Sequence, residues 1–291
     1  MPLERVALTG ASGMLGRSLL QDGAVDWLPL PRSRDLDLRN RDAVLGWFEE
    51  HRPKRVIHTA AMTAVDACEE TPELAFENNR NATRHVAQAA ARIGARLVYI
   101  STDYVFNGQG ENPWRPDSKP SPINRYGASK LAGEAEVQRY LQDFAIVRVG
   151  WLYGPGGPSF LHTMARLGKA RQGTDEALRI VSDQIGAPTS TLVLAQALRA
   201  LVLSNARGIF HIAPSGNVSW FDYARFIFQA LELEDVRVEP CTSAEFQRPA
   251  ARPQNSRLDT IDFDALRLYD LGTWQAGVEA FVRSHREELL K

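Results

Sequence analysis

Cysteine is scarce in this chain of 291 residues, which carries only Cys68 and Cys241. Two cysteines so placed form neither a metal-ligand spacing nor a disulfide framework, which suits a reducing compartment. An excess of either charge is also missing: 34 Lys and Arg stand against 35 Asp and Glu, a formal net charge of −1. Binding to nucleic acid or to an anionic membrane needs clustered excess basic residues, so neither partner is expected. No apolar run approaches membrane-spanning length. No basic, long apolar secretory segment precedes the first strand-like run at residues 5–9. A soluble cytoplasmic protein with a small-molecule ligand is expected. Internal repeats and low-complexity tracts are lacking too.

A hydrophobic content of 44% is enough for a sizeable core, and the length corresponds to one large or two ordinary domains. Short β-branched and apolar runs at residues 6–9, 28–30, 55–59, 97–101 and 145–149 alternate with helical patterns such as 42–51 and 72–93. That alternation predicts an α/β fold, a Rossmann-like doubly wound parallel sheet, with ligands at the carboxyl ends of its strands. The rhythm loosens from Gly154, where Pro155, Gly156, Gly157 and Pro158 mark a break. Helices are expected at 161–171, 190–204, 219–231 and 274–290, and a strand at 209–213. The predicted division is a dinucleotide-binding domain over 1–153, rejoined by roughly 186–213. A smaller, mixed substrate-binding region takes 154–185 and 214–291. Residues 107–124, rich in Gly, Pro and Asn, read as a long loop.

Gly10, Gly13 and Gly16 follow the first strand directly and open a helix, with Ser12, Met14 and Leu15 between and beside them. Glycine there lets the backbone approach a pyrophosphate whose charge the helix N-terminus stabilises. Three glycines also suit a tight turn, but their place after the first strand of a βα series favours a cofactor site. After the second strand, where an acidic residue would bind an unmodified ribose, stand Arg32 and Arg34. Arginines suit a 2′-phosphate, so NADPH is preferred, with NADH the alternative; exposed loop charges are the other reading. Asp37 and Leu38 are placed to hydrogen-bond and cover the adenine, although a helix-starting aspartate looks the same.

Tyr126 and Lys130 lie four residues apart, on one face of a helix, so the ammonium group is expected to lower the phenol pKa. Thr102, twenty-four residues upstream of Tyr126, ends a strand and can hydrogen-bond a carbonyl oxygen. Alone it would read as a strand-end hydroxyl capping backbone. Together the three suit reduction of a ketone, in which negative charge develops on oxygen and a positioned acid quenches it.

Residues 60–66 (AAMTAVD), 101–106 (STDYVF), 126–134 (YGASKLAGE), 183–189 (DQIGAPT) and 252–258 (RPQNSRL) together resemble the extended short-chain dehydrogenase/reductase superfamily, and within it the dTDP-4-dehydrorhamnose reductase family. The resemblance implies reduction of the C4 ketone of dTDP-4-dehydro-L-rhamnose to dTDP-L-rhamnose. It makes Thr102 a ligand of the carbonyl, Tyr126 the proton donor and Lys130 a ligand of the nicotinamide ribose, with Ala60, Ala61 and Thr63 beside the cofactor. Asp103, Tyr104 and Trp151 are implied to line the sugar pocket, joined by Val65 and Gln184, and Thr63 is a further candidate there. Arg252 and Arg257 are implied to face the diphosphate. Trp151 also reads as core and the arginines as surface ion pairs. Some members are magnesium-linked dimers with a glutamate soon after the third glycine. Here that neighbourhood is Arg17-Ser18-Leu19, which puts magnesium and that dimer in doubt, so the assembly is read as monomer or homodimer. Met62 replaces the family's aromatic or histidine. The alternatives are a reductase of another nucleotide-linked 4-keto-6-deoxysugar, and a non-catalytic subunit resembling the regulatory subunit of methionine adenosyltransferase.

Overall fold

The computed structural model describes residues 5–21, 23–233 and 235–291. Its framework is a six-stranded sheet in which every neighbouring pair runs parallel. Strands β1 (Arg5–Thr9), β2 (Asp26–Pro29), β3 (Arg55–His58), β4 (Arg96–Thr102) and β5 (Phe144–Val149) are joined by Gly208–His211, which pairs with the outer side of β5. The spatial order is 208–211, β5, β4, β3, β1, β2. The order reverses between β1 and β3, which opens a crevice at their carboxyl ends. The glycine loop and Ala60-Ala61 leave those two strands side by side.

Helices cover both faces, so the central strand β4 is buried along its whole length and its sequence is apolar nearly throughout. Successive side chains point to opposite faces. Val6, Leu8 and Val98 pack with Leu15, Leu19, Leu194 and Leu198 of the helices Met14–Leu20 and Thr191–Leu203. Ala7, Leu97 and Tyr99 pack instead with Phe48, Val86 and Val137 of Arg41–His51, Ala82–Ile93 and Arg125–Tyr140. A third core joins Phe160–Arg171, Trp220–Ala230 and Trp274–Leu289 around Leu161, Tyr223, Ile227 and Phe281. Beside it, Leu178–Val181 pairs in parallel with Val238–Cys241. Among the described residues no helix is long and apolar enough to cross a membrane.

The helical pattern at 72–93 is interrupted. A π turn, Glu77–Asn81, separates Pro72–Phe76 from Ala82–Ile93. The Asn79 carbonyl accepts a bond from the Thr83 hydroxyl at 2.7 Å, and the Asn79 amide is directed away from the helix. Such insertions often sit at functional sites. Residues 107–124 contain no helix, yet their backbone is fastened: Trp114 donates to the Arg257 carbonyl at 2.8 Å, and Asn255 donates to the Gly108 carbonyl at 2.9 Å.

Candidate active site

The glycine loop is a cradle that side chains would fill. Gly10 has φ +68°, and a Cβ there would stand 2.6 Å from Thr59 Oγ1 and 2.7 Å from the Ala60 nitrogen. At Gly16 a Cβ would run into the Gly10 carbonyl. The helix Met14–Leu20 begins at Gly13 with no side chain capping its first N–H groups, which remain as donors for an outside acceptor. Ser12 and Gly13 are exposed, Met14 is half-buried and Leu15 is buried beneath them. This arrangement fits a dinucleotide pyrophosphate. Arg17 donates from Nε to the Ser12 carbonyl and from Nη1 to the Gly156 carbonyl, both at 2.9 Å. It therefore ties the glycine loop to the Gly156 turn. Among the described residues, no group of three or more His, Cys, Asp or Glu side chains is placed to hold a metal ion.

Arg32 and Arg34 are exposed beyond β2, and Arg34 Nε lies 3.4 Å from Asp35. Asp37 is occupied by Arg39, whose Nη2 donates to it at 2.7 Å and which holds its carboxyl below the ordinary range. Leu38 is half-buried and its carbonyl lies 3.0 Å from His85 Nδ1. Ala60 and Ala61, just past β3, are half-buried, while Thr63 is exposed.

The catalytic candidates converge because of local backbone chemistry. Thr102 ends β4, and the chain turns at once through Asp103–Val105. The helix Arg125–Tyr140 starts at Asn124, whose Oδ1 accepts from the Gly127 N–H at 2.8 Å. A Cβ on Gly127 would overlap the Tyr104 carbonyl, so only glycine lets this helix end press onto that turn. Tyr126 is thereby set edge-on to Tyr104, ring centroids 5.7 Å apart, and beside the Thr102 hydroxyl. Thr102 donates to Asp103 Oδ1 at 2.9 Å. Burial pushes the Asp103 carboxyl up to about 6, against hydrogen bonds from Ser256 and Thr102, and its Oδ2 has no protein partner.

Lys130 behaves differently from the expectation drawn from its spacing. Its Nζ donates to the Ile100 carbonyl at 2.6 Å and lies 4.1 Å from the centre of the Tyr99 ring. Burial lowers it to about 7, with Glu134 opposing. The Tyr126 phenol is pushed up, because burial outweighs the opposing effect of the nearby Thr102 hydroxyl, and the Lys130 charge is not among the causes. The expected lowering of the phenol is absent from this arrangement, because the ammonium group is directed at backbone and at another ring. A phenol so raised keeps its proton at neutral pH.

At the far side, Trp151 has φ +52° and its ring lies flat on Trp220, centroids 3.4 Å apart and planes 6° apart. Trp220 donates from Nε1 to Gln184 Oε1 at 3.1 Å. Val65 opens the short helix Val65–Glu70 and is half-buried. Arg252 is paired with Asp66 at 2.5 Å, and its charge reaches Tyr104. Arg257 is directed to the Glu111 carbonyl at 2.6 Å, so it fastens the 107–124 loop. Asp66 itself is held down to about 2 by the Arg252 hydrogen bond, a backbone bond from Ala250 and Arg248.

Two residues of this site escaped sequence reasoning. Asn79 accepts from the Met62 N–H at 2.7 Å and donates to the Met62 carbonyl at 3.0 Å and the Ser129 hydroxyl at 2.9 Å. It joins the loop after β3 to the Tyr126 helix, and a continuous helical pattern concealed it. Trp220 follows the helix cap Ser219 and read as an ordinary first-turn residue.

The sequence pattern of the family described as "RmlD substrate binding domain" matches residues 4–287. The chain belongs to the dTDP-4-dehydrorhamnose reductase family. It is 41% identical over 286 residues to the dTDP-4-dehydrorhamnose reductase of Streptomyces griseus, covering 95% of this chain and 92% of that protein. It is 38% identical over 267 residues to the dTDP-4-keto-6-deoxy-D-glucose reductase of Streptomyces niveus, covering 91% and 90% respectively. A crystal structure of dTDP-4-dehydrorhamnose reductase from Bacillus anthracis in complex with NADP superposes with a TM-score of 0.92 at 38% identity, covering 97% of this chain and 99% of that one. The family is one of reductases, and this member is an oxidoreductase.

Proposed function

We propose that the protein uses NADPH to reduce the C4 ketone of dTDP-4-dehydro-L-rhamnose, giving dTDP-L-rhamnose. The observations that support this reading are the Tyr126 phenol beside the Thr102 hydroxyl and a glycine cradle after β1, where the strand order reverses. Gly10, Gly13 and Gly16 with Ser12, Met14 and Leu15 hold the pyrophosphate, Arg32 and Arg34 the 2′-phosphate, and Ala60, Ala61 and Thr63 border the nicotinamide half. Asp37 and Leu38 lie at the adenine. NADPH supplies the hydride when bound. Tyr126 gives its proton to the alkoxide that develops at C4, and Thr102 stabilises that charge. Its single hydroxyl proton points to Asp103 in the free protein, so Thr102 must turn from the carboxylate to the ketone. Lys130 supplies a fixed cation at the ribose. Trp151, Tyr104, Asp103, Val65 and Gln184 line the sugar end, and Arg252 and Arg257 face the diphosphate once they turn from Asp66 and the Glu111 carbonyl.

The division into a dinucleotide domain, 1–153 with 186–213, and a substrate domain, 154–185 with 214–291, is part of this proposal. A second reading rests on the similarity to the Streptomyces niveus enzyme: a few pocket residues decide which nucleotide-linked 4-keto-6-deoxysugar is accepted. The test is oxidation of NADPH and of NADH by the purified protein with a panel of such keto-sugars. Turnover of the rhamnose precursor with NADPH is expected to exceed all others, and no turnover of that precursor rejects the first reading.

The charge on Lys130 makes this testable by pH as well. Burial lowers its ammonium group to about 7, so the cation is present below that pH and is lost as pH rises through it. Tyr126 is raised and stays protonated across the same window. The kcat/KM for the keto-sugar, which reports free-enzyme ionisations, is expected to fall on the alkaline side with an apparent pKa of about 7. A profile flat to about pH 9 would contradict the role given to Lys130.

A further inference from the structure

We propose that Trp220 is a specificity-determining residue, which holds the Trp151 ring as a wall of the sugar pocket and couples that wall to the segment 242–252 at the nucleotide end. This rests on the reading of the site given above. Trp151 sits in the left-handed backbone region, φ +52°, which a bulky residue leaves unless its surroundings hold it. Two features do so. Trp220 covers one side of its ring at 3.4 Å. Gly186 lies against the indole so closely that a Cβ would stand 2.5 Å from Cε2 of the ring. Phe160 in turn packs against Trp220, with centroids 4.5 Å apart.

Trp220 is also fixed in the plane of its ring. Its N–H donates to Gln184 Oε1 at 3.1 Å, Gln184 Nε2 donates to Ser243 Oγ at 2.8 Å, and Ser243 Oγ donates to Asp183 Oδ1 at 2.7 Å. Each donor and acceptor in this series is used in one sense only, so the direction of the chain is unambiguous. Ser243 begins the segment whose far end carries Arg248 and Arg252, both on Asp66. An indole rather than a benzene ring is required here, because only the indole both stacks on Trp151 and donates to Gln184. The binding energy of the nucleotide end can thus hold the sugar wall in place, which is how contacts remote from the reacting carbon contribute to the rate.

Trp220→Phe keeps an aromatic ring against Trp151 and removes the N–H donor. Its KM for the keto-sugar is expected to rise about tenfold, and its selectivity across a keto-sugar panel to narrow by about the same factor, the scale of one lost pocket contact. Its KM for NADPH and its thermal midpoint are expected to match the wild type. Wild-type selectivity and keto-sugar KM in this variant overturn the proposal. A substrate-free measurement separates this from failure of the proposed reaction. Two stacked indoles give an exciton couplet in circular dichroism, and Gln184→Leu is expected to weaken it by freeing the Trp220 ring. An unchanged couplet in Gln184→Leu overturns the tether even if no keto-sugar is turned over.

Discussion

Replacing Tyr126 by Phe is expected to lower turnover roughly 10²-fold or more while NADPH still binds, the loss typical of a missing general acid. The substitution removes one oxygen and leaves the ring that packs on Tyr104 at 5.7 Å. It does not touch Asn124 or Gly127, which set the start of the helix, so the fold is retained. The phenol lies beside Thr102 and keeps its proton at neutral pH, since burial raises its pKa. Thr102 cannot replace it, because its one proton is committed to Asp103 until the ketone arrives. Single-turnover measurement of hydride transfer with saturating NADPH, alongside a cofactor titration, checks the expectation. Turnover close to that of the wild type refutes the assignment.

Replacing Arg148 by Met is expected to cost about 3–5 kcal/mol of stability, read from the denaturant midpoint, because it strands a buried charge. Arg148 and Glu134 are each 2% exposed and meet in two parallel bonds, Nε to Oε1 at 2.9 Å and Nη2 to Oε2 at 2.8 Å. The Ser101 hydroxyl completes the carboxylate at 2.5 Å, and Arg148 Nη1 donates to the Pro116 carbonyl at 3.2 Å. The guanidinium also lies 5.1 Å from the Phe106 ring centre, and Phe106 stacks on Trp114 at 4.7 Å. One ion pair therefore connects β4, β5, the Tyr126 helix and the 107–124 loop. Removing both charges, as in Arg148→Met with Glu134→Leu, is expected to restore most of the loss, because the carboxylate is no longer left buried without its guanidinium. Equal destabilisation in the single and double variants would mean that packing, and not the stranded charge, sets the cost.

Much of this molecule was legible before folding was considered, and its particular residues show why. The glycines after β1 and the runs of Val, Ile and Leu in the strands report on contacts within a few residues of themselves, and local periodicity carries that information. Asn124 likewise sets the helix beginning at Arg125 from within one turn, whereas Gly127 is required by the distant Tyr104 carbonyl. Spacing along a helix places the Cα of Lys130 but not its amine. Four side-chain torsions lie between the two, and the carbonyl of Ile100 on another element claimed the proton donor. Arg252 pairs with Asp66, nearly two hundred residues away in the chain, a contact that no local spacing encodes. Asn79 and Trp220 each lie in a segment whose helical pattern is regular, while each acts through contacts to distant loops.

The sequence by itself determined the parallel α/β framework, the glycine loop after β1, and the place of Thr102 at a strand end and of Tyr126 and Lys130 on one helix, since all of these follow from residue type and short-range spacing. Only the tertiary structure decided where each polar side chain directs its proton: Thr102 to Asp103, Lys130 to Ile100, Trp220 to Gln184. It also decided which groups burial perturbs, raising Tyr126 and Asp103 and lowering Lys130. The physical reason is common to all of them. A hydrogen-bond partner and the loss of water depend on which distant segments close over a group, and no local pattern encodes that closure.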